Sequence, residues 1–251
     1  MTSSVPSPPP SVVEALALTV ATFLALTAAG TATADWGAAG LAASELAAVL
    51  LPTLAWLAWR RPPRATLGLQ SAPLVPTLGA LVAGLGAFYL IAVTLEPLME
   101  RVIPTPPQLK RALEQLIVPP SGLRPWPLDL LAFALVPAVA EELLFRGVLF
   151  GALRGKLPAW LAVLVSALAF AAYHGSLPHL LPALAGGVLL GAVRVASRRL
   201  APAIAFHFAN NAAVVIALRH GISTPTVAAG PLVAAVIAVA AGAWLFSCLS
   251  P

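Results

Sequence analysis

Apolar runs of about twenty residues, separated by short clusters of proline, glycine and basic residues, recur along the whole 251-residue chain. They fall at about 11–33, 37–59, 74–99, 127–153, 158–176, 179–196, 200–218 and 226–248. A helix needs about 20 predominantly apolar residues to cross the hydrocarbon core of a bilayer, so the pattern predicts eight transmembrane helices. Only one connection is long. Within it Leu109, Ala112, Leu113, Leu116 and Ile117 mark one helical face, and Lys110, Arg111, Glu114 and Gln115 the other. That alternation predicts a short amphipathic helix lying in the membrane interface, either packed there or serving as a docking surface. Thr105-Pro106-Pro107-Gln108 has the form of its capping box, with proline at the first helical position. Pro119-Pro120 closes it. Residues 1–10 (MTSSVPSPPP) read as a disordered tail. With no convincing repeat, residues 11–251 read as a single transmembrane domain. The expected fold is an all-α, polytopic transmembrane helix bundle of about eight spans with one interfacial helix.

Composition narrows the class further. The chain is 60% hydrophobic and 9% charged, against about 25% charged residues in soluble domains. Its net charge of +5 resides in short loops, which fits membrane orientation and argues against a nucleic-acid partner. With eight spans and both termini cytoplasmic, Arg60, Arg61, Arg64, Arg154, Lys156, Arg194, Arg198 and Arg199 fall inside. Arg219 and the basic residues of the 100–125 connection fall outside, an excess that follows the positive-inside rule. Ala-, Pro- and Arg-rich usage points to a bacterium with GC-rich DNA and hence to its inner membrane. The single cysteine, Cys248, excludes an intramolecular disulfide. Ala32-Thr33-Ala34 could serve as a signal-peptidase site, but no Lys or Arg precedes the first segment and Glu14 sits early in it. That segment is therefore read as the first span.

Against this apolar background a few polar residues stand out. Glu141, Glu142 and Arg146 lie inside the fourth segment, where each charge near mid-membrane costs about 2.5–3.5 kcal/mol on insertion scales. On a helix Glu142 and Arg146 lie i,i+4 and can neutralise each other. Glu141 faces about 100° away and is left free. Pro137 frees the carbonyl of Phe133 and predicts a kink. The fifth segment ends in Phe170-x-x-x-His174 and the seventh carries His207-x-x-x-Asn211. In the sixth, Gly187 and Gly191 form a small-residue face suited to close helix packing. Glu45, inside the second segment, is expected to face the bundle and has no assigned role.

Two histidines, a carboxylate and an amide allow two chemistries. A glutamate in a dry pocket can take a proton from water while His and Asn donors hold the oxyanion. Alternatively, Glu141, His174 and His207 could hold Zn²⁺ and acidify a bound water. Hydrolysis is common to both. Asparagine suits oxyanion donation better than zinc ligation, so the reading favours a glutamate-activated water with no obligatory metal. A proton-coupled transporter also uses embedded Glu and His relays, but predicts internal repeats with broken helices, which the sequence lacks.

Taken in order, Glu141-Glu142-x-x-x-Arg146, Phe170-x-x-x-His174 and His207-x-x-x-Asn211 resemble the three motifs of the CPBP family of intramembrane proteases. That family includes the type II CAAX-prenyl endopeptidases and the bacterial Abi proteins. The resemblance covers about 127–219, the expected catalytic core. It implies an intramembrane endopeptidase, glutamate-type or metallo-dependent, in which Glu141 activates water and His174 assists. His207 and Asn211 would form the oxyanion site, and Glu142, Arg146 and Phe170 would support it. An inactive scaffold or immunity protein of the same fold is the remaining alternative. Bacteria generally lack protein prenylation, so the expected partner, besides the lipid bilayer, is another membrane-associated protein or peptide. A C-terminal sorting tail or a bacteriocin-like precursor would qualify. One feature conflicts with a shared site. Counted from the inner boundary, His207 lies about seven residues deep and His174 about sixteen, a difference near 14 Å at about 1.5 Å per residue.

Overall fold

The computed structural model describes residues 8–119, 122, 124–222 and 229–247. Among them all regular structure is helical: α1 (Val12–Ala32), α2 (Ala38–Arg60), the single turn α3 (Arg64–Leu67), α4 (Leu74–Val102), α5 (Pro107–Ile117), α6 (126–154), α7 (Ala159–Tyr173), α8 (Leu180–Ser197), α9 (Ala201–Arg219) and α10 (Ala229–Ser247). Helices α1, α2, α4, α8 and α9 are each long and apolar enough to cross a bilayer. Helix α7 and the Ala229–Trp244 part of α10 are shorter apolar helices. Large apolar side chains such as Leu24, Trp59, Trp160, Leu168 and Ile237 point outward, which is the surface a lipid-facing bundle presents. The protein is a multi-pass membrane protein. Residues 1–7 of the expected tail, Pro120 and Cys248 lie outside the described residues.

Helix α6 is the pillar of the bundle. Every residue of Leu143–Leu149 is buried, as are Phe150 to Leu153, the signature of a helix surrounded on all sides. Helices α1, α2, α3, α7 and α8 pack around Leu143–Leu149, and α2 and α9 flank Val136–Glu142. The kink expected at Pro137 takes the form of a π-helical turn, Leu131–Leu135, just before it. The wider turn accommodates the proline ring and its missing donor. A second π turn, Leu143–Leu149, has no proline to announce it. Side chains from neighbouring helices satisfy its backbone: Ser166 Oγ donates to the Phe145 carbonyl at 3.1 Å, and Arg194 Nε to the Arg146 carbonyl at 3.3 Å.

Small residues set the close helix contacts, as expected where hydrophobic driving force between helices is absent. The Gly187 and Gly191 face of α8 lies on Ala167 and Val163 of α7. At Gly84 of α4 the backbone of Phe206 in α9 comes so close that an added Cβ would stand 2.4 Å from its carbonyl oxygen. Gly68 ends α3 at φ +75°, and its carbonyl accepts the Leu200 N–H at 2.8 Å, which fixes where α9 begins. One expectation needs correction. Thr105 does not cap α5; Pro106 is the N-cap with no side-chain bond, and the Thr105 N–H donates to Glu100 at 3.1 Å. The preceding prolines already fix the entry, so the cap is superfluous. The chain's capping box is instead Ser11 with Glu14 at the start of α1.

Candidate active site

Adjacent positions on α6 send the two carboxylates to different environments. Glu142 Oε1 accepts from Arg146 Nη1 at 2.7 Å and from His207 Nδ1 at 3.1 Å. The Arg146 guanidinium also donates to the Gly187 carbonyl at 3.0 Å and lies 4.3 Å from the Phe170 ring centroid. Both members of this pair are fully buried. No arginine pairs with Glu141 among the described residues. Its side chain is buried, and Oε2 carries no hydrogen bond while standing 3.9 Å from His207 Nε2. That distance is too long for a direct hydrogen bond.

Helix α9 therefore places His207 between the two acids. A carboxylate already bound to Arg146 can only accept, so His207 carries its proton on Nδ1 and turns Nε2 toward Glu141. His174, at the C-terminal cap of α7, shares this arrangement: its Nδ1 lies 2.9 Å from the Phe170 carbonyl, which can only accept. Its Nε2 is then the free nitrogen. Phe170 connects the two rings, edge-on to His174 at 4.7 Å and to His207 at 5.7 Å. The depth conflict read from the sequence thus disappears, because both imidazoles abut one phenyl ring. Asn211, one turn beyond His207, accepts weakly from Asn210 at 3.5 Å, leaving its own amide hydrogens available.

His174, His207, Asn210 and Asn211 line one cavity of about 220 Å³. Glu141 is not in its wall but stands 3.9 Å from the Nε2 of His207, which is. A second cavity, about 650 Å³, lies beneath α5 and is lined by Leu113, Leu116 and Ile117 of its apolar face. Phe88, Glu96, His179 and Val214 line both cavities, so the larger space adjoins the histidines. Among the described residues no group of three or more His, Cys, Asp or Glu side chains is placed to hold a metal ion.

Sequence reasoning missed several groups. His179, five residues after His174, faces both cavities and pairs with Ser176 at 2.9 Å. Burial pushes its imidazole below the ordinary value, and nearby His174 adds to this while Glu100 opposes it. Asp129 is buried between Arg124 at 2.7 Å and Arg219, which stacks on Trp126. Its position at the edge of an apolar run was the available signal. Glu45 turns inward as expected, and α2 carries it against Val136–Glu142.

No curated protein and no solved structure matches the chain. Residues 123–213 match the family described as type II CAAX prenyl endopeptidase Rce1-like. The matched stretch holds α6, α7, α8 and most of α9, the helices that carry Glu141, Glu142, Arg146, His174 and His207. The likeness to the type II CAAX prenyl endopeptidase Rce1-like family is confined to this part of the chain, residues 123–213.

Proposed function

We propose that the protein is an intramembrane endopeptidase in which Glu141 activates the attacking water, working in a bacterial inner membrane with both termini cytoplasmic. The observation that carries this reading is the unpartnered Glu141 Oε2 facing His207 Nε2 across 3.9 Å, a gap that a single water can bridge. Glu141 takes a proton from that water as its oxygen bonds to the scissile carbonyl carbon, and the carbonyl electron pair moves onto oxygen. His174, with Nε2 free, accepts from the same water. Asn211 donates to the oxyanion. His207 joins it as a donor only as the imidazolium, since the neutral ring spends its proton on Glu142. Glu141 then returns the proton to the leaving nitrogen, the C–N bond breaks, and a carboxyl and an amine result.

The likeness to that family supports, as substrate, a membrane-associated peptide cut near a C-terminal CAAX-type end. The cavity of about 650 Å³ beneath α5 offers room for its apolar tail. The test uses purified protein in liposomes with two fluorogenic CAAX-type peptides, one S-farnesylated and one carrying a plain apolar side chain. Wild type cleaves at least one and Glu141→Gln cleaves neither. Equal cleavage by Glu141→Gln, or none by wild type, defeats the reading.

A further inference from the structure

The two cavities share a short stretch of wall, made of Phe88, Glu96, His179 and Val214. Two of these residues are apolar. His179 is half-buried, and burial holds its imidazole below the ordinary value, so at neutral pH the ring brings no positive charge. Glu96 is therefore the shared wall's source of charge. It lies exposed on α4, and no arginine, lysine or histidine pairs with it among the described residues. The other acids of the larger cavity are engaged. Glu100 accepts from the Thr105 N–H at 3.1 Å, and Glu114 stands i,i+4 from Lys110 on α5. Arg101 and Lys110 line the larger cavity but not the shared wall.

A peptide with its scissile bond at His174 and His207 and its apolar tail beneath α5 must cross this shared wall. The residues that cross it are those just after the cleaved bond. There an acid without a counter-charge meets the substrate between two apolar side chains. We propose that Glu96 is a specificity-determining residue that selects a basic side chain, Lys or Arg, at a position just after the scissile bond. The cation supplies the missing counter-charge, and Phe88 and Val214 take its methylene stem. An acidic side chain at the same place is repelled, which excludes the wrong peptide as well as favouring the right one. The inference rests on the endopeptidase reading and adds to it which peptides enter.

The test uses fluorogenic CAAX-type peptides carrying Lys, norleucine or Glu at each position after the cysteine in turn. Norleucine keeps the stem of lysine without its charge. At one position wild type prefers Lys to norleucine about 5-fold in kcat/KM, the scale of one partly exposed ion pair, and norleucine to Glu. Glu96→Gln cleaves the Lys and norleucine peptides alike, and Glu96→Lys prefers Glu to Lys. Because Glu96 is exposed, thermal unfolding of both variants in detergent matches wild type. Glu100→Gln keeps the wild-type preference. No preference for Lys at any position, or one that survives in Glu96→Gln, overturns the inference. A preference lost equally in Glu100→Gln belongs to the cavity's general field and overturns it too. Fluorescence anisotropy with labelled peptides on Glu141→Gln, alone and combined with Glu96→Gln, gives the same ratios as Kd without turnover. If wild type cleaves no peptide, or Glu141→Gln cleaves as wild type does, the reading of Glu141 has failed. The Kd ratios then still decide the role of Glu96.

Discussion

Helix α6 carries two acid–arginine clusters that contrast in one respect. At its N-terminal end both oxygens of Asp129 are taken, one by Arg124 and one by Arg219. Arg219 also bonds the Arg124 carbonyl at 2.9 Å and stacks on Trp126, so α6, its preceding loop and the end of α9 are tied together. At mid-helix the carboxylate oxygens outnumber their partners. Glu142 offers Oε1 to Arg146 and His207 yet leaves Oε2 without a bond, and Glu141 Oε2 has none. A buried acid with every acceptor filled is a clamp. One with an acceptor free, beside a histidine that lines a cavity, retains capacity for a proton.

Substitutions sharpen this contrast. Glu141→Gln removes a group that holds nothing together, so the protein inserts and unfolds as wild type does while kcat falls by about 10²–10⁴, the range for a lost general base. A parallel fall in unfolding temperature would place Glu141 among the clamps. Glu142→Gln leaves the fully buried Arg146 without its counter-charge, and breaking such a pair costs about 3–5 kcal/mol. Thermal unfolding should therefore come earlier, with activity reduced as His207 loses its anchor.

Asp129→Asn is expected to cost less, about 1–3 kcal/mol, because Arg124 is partly exposed and an amide can still accept one bond. Activity per folded molecule should remain unchanged; a fall in kcat without a fall in stability would link this outer cluster to the site. The smallest effect is expected from metal removal. Stripping the enzyme with a strong chelator, with loss checked by elemental analysis, should leave cleavage intact. Activity that disappears and returns with added zinc would mean that Glu141 does not act on water unaided.

Much of this was legible in the sequence because membrane insertion penalises polarity so strongly. In an apolar run every ionisable residue needs a reason, so Glu141, Glu142, Arg146, His174 and His207 could be singled out individually. The spacing of Glu142 and Arg146 sufficed to pair them, since i,i+4 geometry is local. Gly187 and Gly191 announced a close contact for the same reason. The second π turn was not legible, because the groups that satisfy it, Ser166 and Arg194, come from other helices.

The sequence by itself determined the number and order of the long apolar segments, the membrane setting and the residues available for chemistry. Hydrophobic length and helical periodicity are properties of contiguous residues, and the bilayer reads them directly. Only the tertiary structure decided which nitrogen of His207 faces Glu141, that Phe170 brings two imidazoles at different depths into contact, and that the turn holding Glu45 packs against Val136–Glu142. Each of these depends on how helices far apart in the chain cross. Those crossings are set by a few close approaches, such as Gly84 against Phe206 and Gly191 against Val163, whose partners no local pattern names.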